Sequence, residues 1–205
     1  MQFISHRINS ALKLPEINPA CGAEIDIRYH EDELILHHDP FGHHHHPIET
    51  LEHFLSHFQL KGPLILNIKT EGIEEKCIQL MNRYGLTNWF FLDLSPPYFV
   101  KYSLIAESGK IPGFGKDNLA VRFSEYEPLE FALSFSGRVG WVWVDCFKRM
   151  PLDSTSHQKL SKAGFKICLV SPELHGHSLE RIQEFKKQVA GLKIDAVCTK
   201  RPDLW

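Results

Sequence analysis

The stretch Ala23-Glu24-Ile25-Asp26-Ile27-Arg28-Tyr29 alternates apolar and polar side chains with a period of two, which marks a β-strand rather than a helix. Similar short apolar, β-branched or aromatic runs recur to either side, at 3–6, 64–69, 89–94, 119–123, 141–145, 165–170 and 195–199. A further extended piece at 34–38 follows the turn-like Glu31-Asp32-Glu33 and reads as a hairpin-like continuation of the second strand. Between the runs the period changes to that of helices. Ile48, Leu51, Phe54, Leu55 and Phe58 mark one face of a segment opening with Pro47, a good first-turn residue. Ile73, Cys77, Ile78, Met81 and Tyr84 mark a second. Leu179, Ile182, Phe185 and Val189 mark a third, with Ser178 as its expected cap and its end near Gly191. Weaker helical patterns cover 97–109, 127–135 and 156–163. Eight strands with interleaved helices predict an α/β chain folded as a (β/α)8 barrel, with a doubly wound open sheet as the alternative on pattern alone.

The predicted barrel is minimal. Residues 8–22 include Pro15 and Pro19 and leave little room for a regular first helix, and the chain stops at Trp205 just after the eighth strand, so a final helix is not expected. At 205 residues, with 43% hydrophobic and 23% charged side chains, one domain over 1–205 suffices. Lys plus Arg number 23 and Asp plus Glu 25, a net charge of −2 that gives no electrostatic reason to expect nucleic acid as a partner. Five scattered cysteines with no CxxC spacing argue against a disulfide framework and a cysteine zinc site, and fit a reducing cytoplasm. No apolar run approaches the ~20 residues that span a bilayer, and no signal peptide is read at Met1.

Within residues 23–29 the strand period puts Glu24 and Asp26 on one face, roughly 7 Å apart. Two acids on the inner face of a buried strand carry a large desolvation cost, and a hard cation such as Mg²⁺ or Ca²⁺ is the simplest compensating partner. Taken alone, two solvated acids at a strand end would be the plainer reading. The company they keep changes that: His6-Arg7, His38-Asp39 and Asn67-Ile68-Lys69 also fall at the C-terminal ends of consecutive strands, the face on which barrels build their sites.

In this order, His6-Arg7, Gly22-Ala23-Glu24-Ile25-Asp26, His38-Asp39-Pro40, Asn67-Ile68-Lys69 and Thr199-Lys200-Arg201-Pro202-Asp203-Leu204 resemble the glycerophosphodiester phosphodiesterase family. That family belongs to the wider phosphatidylinositol-phospholipase-C-like superfamily of TIM barrels, and its pattern is HRG, an ExD shortly after a Gly, HD, ExK and a closing T-x-x-P-D. Phe91-Leu92-Asp93-Leu94-Ser95-Pro96 also resembles the family's SFDP stretch, so the resemblance covers almost the whole chain. It implies a metal-dependent phosphodiesterase acting on a small-molecule, glycerophosphodiester-like substrate. His6 and His38 would be general base and general acid, Arg7 and Lys69 would hold phosphate, and Glu24, Asp26 and Asn67 would ligate one divalent cation, Mg²⁺ or Ca²⁺. Asn67 stands where the family places Glu and brings an amide oxygen without charge; Asp93 is a candidate to substitute for that acid. The implied chemistry is coherent, because negative charge that grows at phosphorus is offset by a cation and by guanidinium and ammonium groups, while two imidazoles pass protons on either side near neutral pH. The attacking group is water or a neighbouring hydroxyl of the substrate. Asn67 also leaves open a degenerate barrel that binds a phosphorylated ligand or a protein partner without turnover.

Other residues are read more plainly. Arg122, Ser124, Glu125 and Glu127 follow the fifth strand, and Ser171, Glu173, His175 and His177 follow the seventh, so both loops are expected at the same barrel face as substrate contacts. One of the sets Trp141/Trp143 and Val142/Val144 should fill the barrel and the other pack beneath helices. His43-His44-His45-His46 is expected to be a solvated loop rather than a dedicated metal site.

Overall fold

Extended apolar runs form strands because branched and aromatic side chains suit a pleated, buried surface, and in this chain each run is followed by a helix or turn that reverses it. The computed structural model describes residues 1–40 and 48–205; the tract His43–His46 and Pro47 lie outside the described residues. Along the chain come β1 (Gln2–Ser5), a 3₁₀ helix (Ala11–Glu16), β2 (Gly22–His30), β3 (Glu33–Leu36), α1 (Leu51–His57), β4 (Leu64–Ile68), α2 (Glu74–Arg83), β5 (Trp89–Leu92) and α3 (Pro96–Ser108). After these follow β6 (Ala120–Phe123), α4 (Leu129–Leu133), β7 (Trp141–Val144), α5 (Ser154–Lys162), β8 (Lys166–Val170), α6 (Glu180–Gln188) and β9 (Ala196–Thr199).

Eight strands are parallel in the order β5-β4-β2-β1-β9-β8-β7-β6. The two ends of this order meet through the bridge Phe91↔Leu119, so the sheet closes into a (β/α)8 barrel and the open-sheet alternative is set aside. The closure is thin. Among the described residues no other bridge joins β5 to β6, and below the seam the Asn118 side chain donates to the Trp89 carbonyl at 2.9 Å. No regular helix fills the first connection; a 3₁₀ helix with Pro15 inside it buries Ala11 and Leu14 instead. After β9 the described chain forms only the 3₁₀ turn Pro202–Leu204.

Period-two alternation sorts the strand side chains into two cores. Ile4, Ile65, Phe90, Trp141, Trp143 and Cys198 point into the barrel, where the rings of Phe90 and Trp141 stack 4.9 Å apart. Ile25, Ile27, Leu66, Val142, Val144 and Val197 face outward beneath the helices. The tryptophans are thus the set that fills the barrel. Close packing at its base depends on glycine: a Cβ on Gly22 would stand 2.1 Å from the Pro63 carbonyl oxygen, so only glycine lets β2 begin against the turn before β4.

The hairpin has a clear purpose in the fold. β2 overshoots its parallel neighbours, and Glu31 and Asp32, both at positive φ (46° and 66°), turn the chain through a two-residue loop of the kind that suits twisted antiparallel strands. β3 then pairs back with Ile27↔Leu36 and His30↔Glu33, and the His37 amide donates to the Asp26 carbonyl at 3.0 Å. The residues that follow are thereby returned to the mouth of the barrel.

Two helix starts differ from the sequence reading. α1 begins at Leu51, where the Thr50 side chain accepts the His53 N–H, because the segment just before it is held against the hairpin by the Ile35↔Thr50 bridge. For α6 the N-cap is Leu179 rather than Ser178: its backbone is already helical (φ −64°, ψ −26°), so no side-chain cap forms. Among the described residues no helix is long and apolar enough to cross a membrane. All five cysteines are free and buried.

Candidate active site

Parallel register decides which side chains share the mouth. Asp26 pairs with Asn67 across β2 and β4, and Glu24 lies two residues below Asp26 on the same inner face. Both carboxylates are fully buried. Glu24 Oε1 accepts from Asn67 Nδ2 at 2.9 Å, and Glu24 Oε2 accepts the Arg7 backbone N–H at 2.8 Å. That second bond requires Arg7 to take a positive φ of 56°, a strained conformation for a side-chain-bearing residue and a cost of the kind found at functional sites. Burial, and then the neighbouring charge of Asp26, push the Glu24 carboxyl up to about 7 despite these bonds.

His6 sits at the end of β1 with its Nε2 3.8 Å from Glu24 Oε2. Burial pushes its imidazole down to about 3, reinforced by the positive charges of Arg7 and Lys200, so the ring is neutral near pH 7. His38, delivered by the hairpin, lies on the other side of Arg7. The guanidinium Nη2 donates to His38 Nε2 at 2.5 Å. A guanidinium can only donate, so Nε2 accepts and the ring proton is on Nδ1, which donates to Asp39 Oδ1 at 2.7 Å. This bond from His38, acting against partial desolvation, holds the Asp39 carboxyl below its ordinary range. The Arg7 side chain is 44% exposed and also approaches Asp26, with Nε 4.0 Å from Oδ2.

Lys69, just beyond β4, places its ammonium 3.6 Å from Asp26 Oδ1 and 3.3 Å from Asp93 Oδ2. Asp93 passes the contact on: its other oxygen accepts from Arg122, which also donates to Asp145 and forms an ion pair with Glu127 at 3.0 Å. Asp145 in turn accepts from His175. A chain of ion pairs and hydrogen bonds therefore crosses the mouth from Lys69 to His175. Both oxygens of Asp93 thus meet a cation, Lys69 on one side and Arg122 on the other.

Could these residues hold a cation? Among the described residues no three or more His, Cys, Asp or Glu side chains group as a ready-made metal site. The donor set is instead two carboxylates and an amide. Asp26 Oδ1 and Asn67 Oδ1 are both buried without a hydrogen-bond partner, and the register sets their residues side by side. Buried oxygens left without donors are the condition a hard, oxygen-seeking cation relieves, so Glu24, Asp26 and Asn67 fit one divalent ion.

The seven residues singled out from the sequence, His6, Arg7, Glu24, Asp26, His38, Asn67 and Lys69, are thus linked at one end of the barrel. Three others went unnoticed. Asn9 forms a reciprocal pair with Asp26, donating from Nδ2 to Oδ2 and accepting the Asp26 N–H on Oδ1, both at 2.8 Å; lying in an irregular loop, it carries no sequence signal. Arg28 donates to the His38 carbonyl (2.8 and 3.3 Å) and the Lys69 carbonyl (3.2 Å), strapping together the segments that bear both residues. Asp145 is the buried hub of the charge chain. Period two could have found these last two, since Arg28 follows Glu24 and Asp26, and Asp145 follows Trp141 and Trp143.

The loop residues have mixed roles. Glu125 accepts the N–H groups of Phe147, Lys148 and Arg149 at 3.2, 2.6 and 2.7 Å and so braces a loop. Glu173 accepts from Ser171, from Thr199 Oγ1 at 2.6 Å and from the Lys200 N–H at 3.0 Å, while Ser124 Oγ donates to Glu127 at 2.8 Å. His177 bonds the Phe147 carbonyl at 2.8 Å. The closing Thr199–Asp203 motif folds on itself, with Arg201 Nη2 2.6 Å from Asp203 Oδ2.

No family profile matches the sequence, and no curated protein does. Solved structures do match. The chain superimposes on a glycerophosphodiester phosphodiesterase from Agrobacterium tumefaciens with a TM-score of 0.66 at 16% identity, covering 100% of this chain and 99% of that one. For a glycerophosphoryl diester phosphodiesterase from Parabacteroides distasonis the TM-score is 0.64 at 16% identity, covering 99% and 84%. At such identities the likeness establishes a shared barrel fold.

Proposed function

We propose that this chain is a member of the glycerophosphodiester phosphodiesterase family that hydrolyses a small glycerophosphodiester-like phosphodiester. The observation that carries the reading is the convergence of two histidines, two buried carboxylates and two cations, bonded to one another, at the C-terminal mouth of a barrel of the same fold as two phosphodiesterases.

A divalent cation, Mg²⁺ or Ca²⁺, held by Glu24, Asp26 and Asn67, would supply positive charge to the phosphoryl oxygens. The remaining work belongs to the side chains. Neutral His6 is in the form that accepts a proton. His38 is oriented by Asp39, whose carboxylate accepts from its Nδ1. Its Nε2 is occupied by Arg7 until the anionic oxygens of a phosphodiester, which the guanidinium bonds two at a time, draw it away. Arrival of substrate then leaves Nε2 free to take up a proton from solvent and pass it to the departing alkoxide, while Arg7 and Lys69 hold the phosphate. Buried thiols and a net charge of −2 support a reducing, cytoplasmic setting without a nucleic-acid partner.

The test is release of alcohol from glycerophosphodiesters by the purified chain with Mg²⁺, Ca²⁺ or Mn²⁺, compared with His6→Ala and His38→Ala. Turnover that needs a cation and is lost in both variants supports the reading. Unchanged turnover in both variants overturns it, and tight binding with no hydrolysis under any cation would make the chain a non-catalytic phosphodiester-binding barrel.

A further inference from the structure

Beside the candidate phosphate-binding residues, the thinly closed seam of the barrel opens into a slot of about 150 Å³ between the start of α3 and α4. Its walls are Leu94, Pro96, Phe99, Val121 and Phe131. It exists because β5 and β6 meet only at Phe91↔Leu119; beyond that bridge the two strands are no longer paired, and the space between their ends is left to side chains.

The slot's polar end is formed by Asp93, Arg122 and Glu127, and their charges are already satisfied. Asp93 bonds Lys69 and Arg122, Arg122 reaches Asp93, Asp145 and Glu127, and the second Glu127 oxygen accepts from Ser124. No cation or carboxylate is left over to recognise a charged ligand, so the walls and not the floor select what enters. The apolar character continues outward. On α3, Phe99, Tyr102 and Ala106 face the core, yet Val100 and Leu104 on the solvent side are 44% and 49% exposed, and Phe131 at the slot is 43% exposed. Through Asp93 the slot is one residue away from Lys69, the candidate phosphate ligand.

We infer that the seam slot is a subsite for an uncharged alkyl group carried by one of the two alcohols of the phosphodiester. This rests on the phosphodiesterase reading and gives its substrate a class: an alkyl-bearing phosphodiester rather than one with two polar alcohols. A volume of 150 Å³ is that of an engineered cavity that takes up benzene, so the slot accommodates a group of about six carbons. Each methylene buried contributes about 0.8 kcal/mol, or roughly 4-fold in affinity.

The experiment is calorimetric titration of the full chain with methyl, butyl, hexyl and decyl phosphate, monoesters that a diesterase does not consume, alongside hydrolysis of glycerophosphodiesters. Affinity should rise by several-fold per methylene, by up to about 4-fold each, as far as hexyl. In Phe131→Ser, which removes a wall, and Leu94→Trp, which fills the space, the rise should vanish, so that methyl and hexyl phosphate bind alike. A lysophospholipid arm separates the sources: tightening beyond hexyl assigns the chain of a lipid, and a plateau at hexyl assigns a short alkyl alcohol, either outcome upholding the subsite. Methyl and hexyl phosphate binding equally to the unaltered chain, while glycerophosphodiesters are hydrolysed, overturns the subsite and spares the phosphodiesterase reading. Failure of every phosphate to bind, together with no hydrolysis, overturns both.

Discussion

Arg28→Met keeps an aliphatic stem of similar length and deletes all the donors, which makes it the most informative single change outside the candidate catalytic groups. Three N–H groups of Arg28 reach two carbonyls, His38 O at 2.8 and 3.3 Å and Lys69 O at 3.2 Å. A hydrogen bond from a charged donor contributes about 1.5–3 kcal/mol; two of these three are long and the site is only part-buried, so the sum should be near the loss of one good bond, about 2–3 kcal/mol. In a chain of this length that lowers Tm by roughly 5–10 °C. The effect on turnover should be larger, because displacement of a reacting group by about 1 Å can cost roughly 10²-fold. Steady-state kinetics on a glycerophosphodiester should show kcat falling while KM moves little, since Arg28 acts through His38 and Lys69. Arg28→Lys, whose single ammonium cannot fork to both carbonyls, should recover only part of the loss. In a His38→Ala background Arg28→Met should cost less than in the native chain, because one of the groups it positions is gone. Native kcat in Arg28→Met, or full additivity with His38→Ala, would refute the positioning role.

Other expectations concern the cation, the base of the barrel and acid stability. Asn67→Asp adds a third carboxylate beside Asp26 and Glu24 and should lower Tm in chelator by like-charge repulsion, yet respond more strongly to Mg²⁺ or Ca²⁺, which at 100 times Kd stabilise by about 2.7 kcal/mol. An identical thermal response to cation in variant and native chain would count against the proposed donor set. Gly22→Ala forces a Cβ to within 2.1 Å of the Pro63 carbonyl oxygen and should destabilise by about 1–3 kcal/mol or more, read from the urea midpoint. For Glu125, burial raises the carboxyl but the N–H groups of Arg149, Lys148 and Phe147 outweigh it and hold it below its ordinary value. A depressed folded pKa gives stability that is present above the unfolded value and lost as pH falls through the folded one. Glu125→Gln should therefore flatten the acid limb of a stability-versus-pH curve below about pH 4.3, the unperturbed Glu value, and an unchanged limb would show that this bracing is not titrating.

Much of the barrel was legible because each strand carries its own pattern. Trp141-Val142-Trp143-Val144 states an alternation that any strand must obey, and the structure only had to decide that the tryptophans point inward. Helix starts were harder, since Ser178 offers a capping side chain but the chain has already reached helical geometry at Leu179. The candidate site was legible wherever its residues lie at strand ends, as His6 and Asn67 do, or share a strand face, as Glu24 and Asp26 do. Asn9 was hidden because an irregular loop has no period to violate.

By itself the sequence determined the parallel βα series, the missing first helix with its prolines, and the set of polar residues gathered at strand ends, because local pattern and chain chemistry suffice for these. Only the tertiary structure decided how they connect: that β3 folds back to bring His38 against Arg7, that Asp93 links Lys69 to Arg122, and that the barrel closes thinly enough at β5 and β6 to leave a slot. Those outcomes depend on register and closure between residues far apart in sequence, and no local pattern carries that information.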